Sequence, residues 1–163
     1  HYPSYEFDKT LSESTYGRYQ IKIENSLLKL PPSKYVIGRL PMVFGTNAPR
    51  TKEIEAQVKS GIPIEVFPNT IINVTSDRKL SQQIHFIINQ KLTGVYHLGS
   101  SDLITHFDFI KRVINRRKLD GAVYKQIYTT NQMRYLVALP KNNKLPSHLH
   151  VSYESILEDL YLP

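Results

Sequence analysis

The sequence predicts an α/β fold with at least some parallel strand pairing. Short apolar segments typical of buried strands alternate along the chain with longer segments of helical periodicity. Of the 163 residues, 40% are hydrophobic and 21% are charged, which is enough apolar material for a core. The chain has no cysteine, and this excludes disulfide scaffolds, thiolate zinc sites and cysteine nucleophiles.

Helices are predicted where apolar residues recur every three or four positions. In the first helix these residues are Tyr16, Tyr19, Ile23 and Leu27, with Pro31 as the stop. Ser12 or Ser14 caps this helix, Ser76 or Asp77 the third and Thr105 the fourth. The predicted helices cover about 14–30, 51–60, 77–89, the segment after Thr105 and about 152–160.

Strands are predicted where short apolar runs lie between these helices. They cover residues 34–40, 62–67, a segment from Ile71, 94–99 and about 122–128. Residues 41–45 are predicted to form a loop, and the polar segment after residue 128, which prolines interrupt, is predicted to be irregular.

The formal net charge of +7 is spread along the chain, with one denser basic patch in residues 111–118. Lys111, Arg112 and Arg116 share one side of a predicted helix, opposite Phe107, Ile110 and Ile114, so we interpret the segment as a solvated helix face. A basic nucleic-acid-binding module is the alternative, but no aromatic-rich basic strand motif supports it. No apolar run approaches the ~20 residues of a membrane span, and we expect a soluble, cytoplasmic protein.

Well-known motifs for nucleotide, metal and hydrolase chemistry are missing from the sequence. It contains no G-x-G-x-x-G, G-x-x-G-x-x-G or P-loop, so nothing in it forms the glycine-rich turn that receives a phosphate group. It also contains no H-E-x-x-H, EF-hand loop or G-x-S-x-G. We therefore predict no metal site.

Two segments do carry a recognisable pattern. The first is Tyr16-Gly17-Arg18-Tyr19-Gln20-Ile21-Lys22-Ile23-Glu24, and the second is Gly38-Arg39-Leu40-Pro41-Met42-Val43-Phe44-Gly45. They resemble the Y-G-x-x-K-x-x-x-E helix and the following R-x-x-x-V-[YF]-G segment of the extended short-chain dehydrogenase/reductase superfamily. The resemblance is to the sugar-nucleotide branch of that superfamily, around dTDP-4-dehydrorhamnose reductase.

Three later segments resemble the same branch, in the same order. Residues 73–80 are similar to its P-T-x-x-x-x-L, and residues 93–98 to its G-x-Y-H strand. Leu139-Pro140-Lys141-Asn142-Asn143, with His150-Val151-Ser152 after it, is similar to the closing R-P-x-N and the next helix start. The resemblance spans nearly the whole chain.

The resemblance implies that residues 1–163 are the C-terminal half of a Rossmann-like NAD(P)-binding fold with its small substrate-binding subdomain. The active-site helix would cover about 14–30, and the substrate-binding portion about 45–163. The N-terminal nucleotide-binding half, with the glycine-rich turn and the catalytic Ser or Thr, would lie upstream, as a chain that opens with His1 rather than Met also suggests. NAD or NADP would be the cofactor, and its binding would require that half.

The resemblance also assigns candidate site residues. Tyr16 would be the catalytic proton donor. The cofactor would contact Gln20, Leu40 and Pro41, and a nucleotide-sugar substrate would contact Met42, Asn69, Thr70 and Thr75. The alternatives are a buried aromatic residue for Tyr16 and turn residues for the others, with Arg39 as a structural residue at a strand end. A homodimer is compatible with the resemblance.

Position 20 departs from the family pattern. The chemistry needs a lysine four residues after the tyrosine, because residues i and i+4 share a helix face and the ammonium lowers the phenol pKa from about 10. Gln20 occupies this position, and Lys22 lies roughly 240° around the helix from Tyr16. The sequence thus leaves two functions open: a reductase or epimerase, and a non-catalytic nucleotide-sugar-binding or regulatory homologue.

Overall fold

The computed structural model describes residues 4–12, 14–141 and 145–160. The helices in these ranges are α1 (Thr15–Leu27), α2 (Pro49–Lys59), α3 (Asp77–Asn89), α4 (His106–Arg116) and α5 (Tyr153–Glu158). The strands are β1 (Val36–Arg39), β2 (Met42–Phe44), β3 (Ile64–Val66), β4 (Thr70–Ile72), β5 (Val74–Ser76), β6 (Gly94–His97), β7 (Ile104–Thr105), β8 (Tyr124–Gln126) and β9 (Arg134–Leu136). Short 3₁₀ helices cover Pro32–Lys34 and Ser147–Leu149.

The strands pair mainly in parallel, as the alternation of helices and strands predicted. Strand β1 pairs with β6, β2 with β5, and β3 with β8, all in parallel. A three-stranded sheet has the order β7-β4-β9, in which β9 is parallel and β7 antiparallel to β4. The predicted α/β class is confirmed.

The predicted N-caps are confirmed at three helices. The Ser14 hydroxyl accepts a hydrogen bond from the Gly17 N–H at the start of α1. Ser76 and Thr105 cap α3 and α4 in the same way. Helix α1 ends at Leu27, about one turn earlier than the sequence predicted.

Two three-residue strands lie where the sequence predicted none, and so does the two-residue strand β7. Residues 42–44 form β2 instead of a loop, because β5 pairs alongside them and the Phe44 side chain enters the core. Residues 134–136 form β9 because they pair with β4. Both strands have three residues, and distant partners supply their hydrogen bonds.

The main hydrophobic core lies between α2, α4, α5 and strands β2 to β5. Phe44 and Phe109 meet edge to face at its centre, with ring centroids 4.7 Å apart. A smaller cluster under α3 joins Ile87, Tyr96 and Leu98 to Leu145 and Leu149. The core therefore belongs to the portion of the chain that follows the first strand.

One residue of the basic segment is not solvated. The side chain of Arg117 is buried, and its guanidinium pairs with Glu55 of α2 and donates to the Leu160 carbonyl. The prediction of a solvated face is wrong for this residue, because Arg117 is the C-cap of α4 and its guanidinium is held between Glu55 and the Leu160 carbonyl. Lys111 and Arg112 are exposed, as predicted. None of the described helices is both long and apolar enough to cross a membrane.

Helix α1 lies outside both hydrophobic clusters and buries none of its residues. Its half-buried positions are Gly17, Ile21, Glu24 and Leu27. Three of the four residues in the predicted apolar stripe of this helix are exposed instead, Tyr16 at 75%, Tyr19 at 64% and Ile23 at 46%. Helix α1 is therefore attached to the body by a face other than its tyrosine stripe.

Candidate functional site

Tyr16 and Gln20 lie one turn apart on the exposed side of α1. Within the described residues the Tyr16 hydroxyl makes no hydrogen bond, so it is free to meet a ligand. Gly17 lets the chain fold back closely here, because a Cβ at this position would lie 2.0 Å from the Ser12 hydroxyl oxygen. The buried aromatic alternative for Tyr16 is wrong for the chain as described.

Arg39 joins α1 to the end of β1. Its Nε lies 3.2 Å from both carboxylate oxygens of Glu24, and its Nη2 completes a two-pronged ion pair with Glu24. Its Nη1 donates to the carbonyl oxygens of Tyr5 and Glu6, at 3.5 Å and 3.3 Å. The interpretation of Arg39 as a structural residue at a strand end is confirmed.

His97, the last residue of β6, is the fourth partner of Arg39. Its Nε2 lies 3.2 Å from Arg39 Nη1, and its Nδ1 lies 3.0 Å from the Leu139 carbonyl oxygen. Burial lowers the pKa of His97 below its usual range, and the Arg39 cation adds to that shift, whereas Glu6, the Leu139 carbonyl and Glu24 oppose it. The neutral imidazole therefore joins the carboxyl ends of β1 and β6 to residue 139.

The segment that follows β1 lies at the carboxyl ends of parallel strands, where α/β folds bind their ligands. Leu40 is exposed, whereas Pro41 and Met42 are half-buried. Pro41 packs on Gly99, since a Cβ at Gly99 would lie 2.5 Å from the Pro41 ring. Pro41 thus has a structural contact in addition to its predicted cofactor role.

The predicted substrate residues Asn69, Thr70 and Thr75 are buried. The alternative of turn residues is wrong for Thr70 and Thr75, because Thr70 belongs to β4 and Thr75 to β5. The Asn69 amide donates to the Thr130 and Gln132 carbonyls. In the described ranges, Asn69 Oδ1 and both threonine hydroxyls have no hydrogen-bond partner. Asn69 therefore holds the loop formed by residues 130–132 in place through its side-chain amide.

Asn73 is a polar residue that the sequence analysis did not single out. Its amide donates to the carbonyls of Ser100 and Ala138, and its Oδ1 accepts from the Ala138 N–H. These bonds fix the strand-end segment at residue 100 to the segment at residue 138. The signal in the sequence is an amide inside an apolar run, between Ile72 and Val74.

The segment before α1 is also tied to the segment near residue 139. The Ser4 N–H donates to the Val137 carbonyl, and the Leu139 N–H donates to the Ser4 carbonyl. The Glu6 carboxylate accepts from the Lys141 N–H. Asn142 and Asn143 of the closing motif lie outside the described residues. No group of three His, Asp or Glu side chains able to hold a metal ion occurs in the described ranges.

An apolar groove runs along the outer face of α3. It is lined by Val43, Leu80, Ile84 and Ile88, and Ile88 is 65% exposed. Val36 of β1 is exposed on the adjoining surface, and within the described strands β1 pairs only with β6. None of the predicted site residues lines this groove.

Residues 2–152 match the model of the RmlD substrate binding domain family. No curated protein matches the chain by sequence.

Several solved structures share the fold. A dTDP-4-dehydrorhamnose reductase from Clostridium acetobutylicum superposes with a TM-score of 0.77 at 21% identity, over 98% of this chain and 59% of its own. The dTDP-4-dehydrorhamnose reductase of Bacillus anthracis, solved with NADP, gives 0.79 at 22% identity, over 96% and 58%. A UDP-N-acetylglucosamine 4-epimerase from Methanobrevibacter ruminantium, solved with UDP-N-acetylmuramic acid, gives 0.72 at 15%, over 95% and 54%. The chain spans less than two thirds of the length of these proteins.

Proposed function

Because the chain belongs to the RmlD substrate binding domain family, we propose that it is the substrate-binding portion of an NAD(P)-dependent sugar-nucleotide reductase. The observation that carries this proposal is the exposed side chain of Tyr16 on α1, whose hydroxyl makes no hydrogen bond to any residue that the structure describes. It lies at the position where the resembling family has its catalytic tyrosine. The reaction would resemble that of a dTDP-4-dehydrorhamnose reductase, the activity named for two of the solved structures.

In the proposed reaction the Tyr16 hydroxyl gives its proton to the carbonyl oxygen of a keto sugar. A nicotinamide cofactor, when bound, would supply the hydride for the carbonyl carbon. The product would be an alcohol, and the Tyr16 phenolate would regain its proton from solvent. The exposed Gln20 amide can hydrogen-bond a cofactor hydroxyl, and Leu40 and Pro41 lie at the strand edge where a cofactor would rest. These residues fit contact with a cofactor, but they include no glycine-rich turn for its phosphates.

We propose that an upstream nucleotide-binding half provides that turn and packs against this chain. Among the described strands β1 pairs only with β6, so its other edge can accept a further parallel strand, and α1 and α3 both carry exposed apolar residues. In this arrangement about 14–30 is the active-site helix and about 45–163 is the substrate-binding portion. We propose a cytoplasmic protein, and a homodimer remains compatible with the family.

A second function is favoured by one residue. Gln20 has no charge, so it cannot stabilise a phenolate at Tyr16 as the lysine of the family pattern would. A homologue that binds a nucleotide sugar without turning it over, or that regulates a partner, would tolerate this substitution.

The two functions are separated by an assay of the full-length protein with NADPH or NADH and dTDP-4-dehydrorhamnose. The reductase proposal expects turnover that Tyr16→Phe lowers by at least about a hundredfold, as for the loss of a general acid. Tyr19→Phe is the matched control, because Tyr19 is also exposed on α1 but lies outside the motif position.

Gln20→Lys completes the test. If the wild-type protein binds NADPH without turnover and Gln20→Lys gains activity, the non-catalytic function is correct. Turnover that Tyr16→Phe leaves unchanged would exclude Tyr16 as the proton donor.

A further inference from the structure

Arg39 contacts three separate parts of the chain with one guanidinium group. It pairs with Glu24 on α1, donates to the backbone carbonyls of Tyr5 and Glu6, and meets His97 at the end of β6. The side chains of Arg39 and Glu24 are 18% and 13% exposed, so water screens their ion pair only weakly. Arg39 therefore acts as the common partner of these elements.

The protonation of His97 follows from this contact. A guanidinium has donors only, so His97 Nε2 must accept the hydrogen bond from Arg39, and Nδ1 must carry the proton that goes to the Leu139 carbonyl. The imidazole is thus neutral and held in one tautomer. Protonation of Nε2 would place a second donor against Arg39 and abolish their hydrogen bond.

This contact matters most for α1 because that helix has little else to hold it. No residue of α1 is buried, and none belongs to a hydrophobic cluster. The Glu24–Arg39 pair lies eight residues after Tyr16, which is about 12 Å along a helix axis. A tilt of α1 by about 10° about this attachment would move the Tyr16 end of the helix by about 2 Å.

We propose that Arg39 is the positioning residue of the active-site helix, holding α1 in place through Glu24 while neutral His97 orients its guanidinium. Arg39 itself touches no reacting atom. The importance of this position for turnover rests on the proposed function of Tyr16, whereas the attachment of α1 does not.

The test measures amide hydrogen exchange in the full-length protein, comparing α1 with α4. Arg39→Gln should speed exchange of the amides at residues 21–27 by about tenfold and leave those of α4 unchanged. Glu24→Gln should speed exchange at the same residues, and the double variant should add little to either change, because both single variants remove the ion pair that attaches α1. Arg78→Gln is the control, since Arg78 pairs with Asp159 at the end of α5, away from α1.

The pH dependence of amide exchange in α1 tests the role of His97. The charged groups around it are Glu6, Glu24 and Arg39. Exchange of α1, corrected for the intrinsic effect of pH, should speed up as His97 gains a proton on acidification. His97→Gln keeps an acceptor near the Nε2 position and has no proton to gain, so it should remove this dependence.

The outcomes distinguish the positioning role of Arg39 from the proposed reductase function. Unchanged α1 exchange in both Arg39→Gln and Glu24→Gln, or equal acceleration of α1 and α4, would overturn the positioning role. If the wild-type enzyme is active, Arg39→Gln should lower kcat about tenfold and leave KM for NADPH nearly unchanged. Faster α1 exchange in a protein without turnover would support the positioning role and count against the reductase.

Discussion

At the scale of single residues, His106 shows how burial changes an ordinary side chain. It is 4% exposed, its Nδ1 accepts from the Phe67 N–H at 3.3 Å, and its ring meets the Phe67 ring edge to face. Burial lowers the pKa of His106 to about 4, and the nearby Arg50 cation acts in the same direction. The native state therefore holds this imidazole neutral at a pH where the unfolded chain protonates it.

This difference predicts that stability falls with acid. Between pH 6.5 and about 4 the unfolded chain binds a proton at His106 that the native state does not, so the free energy of unfolding falls by up to about 1.4 kcal/mol per pH unit. Above pH 6.5 the imidazole is neutral in both states, so this loss of stability is absent. His106→Asn keeps an acceptor for the Phe67 N–H but does not titrate, so urea unfolding at pH 7 and pH 5 should show a smaller difference than in the wild type.

The control for this experiment is His148→Asn, because His148 is exposed. It should leave the pH dependence as in the wild type. An unchanged slope in His106→Asn would mean that another group causes the acid sensitivity.

At the scale of elements, the N-caps of α1 and α3 use the same residue type in different surroundings. Ser14 caps an exposed helix that buries nothing. Ser76 caps α3 and also donates to the Asp159 carboxylate at 2.6 Å, and its side chain is buried. The same substitution should therefore have different consequences at the two positions.

We expect Ser14→Ala to weaken α1 locally by about 1 kcal/mol, seen as faster amide exchange at residues 17–20, with almost no change in the global urea midpoint. Ser76→Ala loses the cap and a charge-assisted bond in the core, so it should lower the global free energy of unfolding by about 2 kcal/mol. Equal losses in the two variants would show that α1 unfolds together with the core.

At the scale of the whole molecule, one ion pair connects distant parts of the chain. Arg117 Nε donates to Glu55 at 2.7 Å, and Nη1 donates to the Leu160 carbonyl at 3.2 Å. These bonds join α2, the end of α4 and the segment after α5. Arg112 instead pairs with Glu154 at the surface, above the Tyr153 ring.

Substitution of each arginine should show how much the buried and the exposed ion pair each contribute to the free energy of unfolding. Arg117→Met leaves the Glu55 carboxylate and the Leu160 carbonyl without their hydrogen-bond donor in the protein interior. It should lower the free energy of unfolding by about 3 kcal/mol. Arg112→Met should cost at most about 1 kcal/mol, because solvent screens an exposed pair. Urea denaturation of both variants measures the difference, and similar losses would contradict the burial of Arg117.

The sequence indicated the segments that form the candidate site, but not the hydrogen bonds that join them. Glu24, Arg39 and His97 all lie inside segments that the family resemblance marked. Their meeting could not be read from the sequence, because the hydrogen bonds join residues 15 and 58 positions apart. The burial of Thr70 and Thr75 was missed for the same reason, since a threonine in a short polar segment fits a turn as well as a strand.

The sequence by itself determined the α/β class, the order of most helices and strands, and the caps at Ser76 and Thr105, because these features depend on neighbouring residues. Only the tertiary structure decided that β2 and β9 are strands, that Arg117 is buried, and that α1 packs by Glu24 rather than by its tyrosines. Each of these outcomes depends on a partner far away in the chain. Periodicity marks the apolar stripe of a helix, but only the surrounding fold determines whether that stripe is covered.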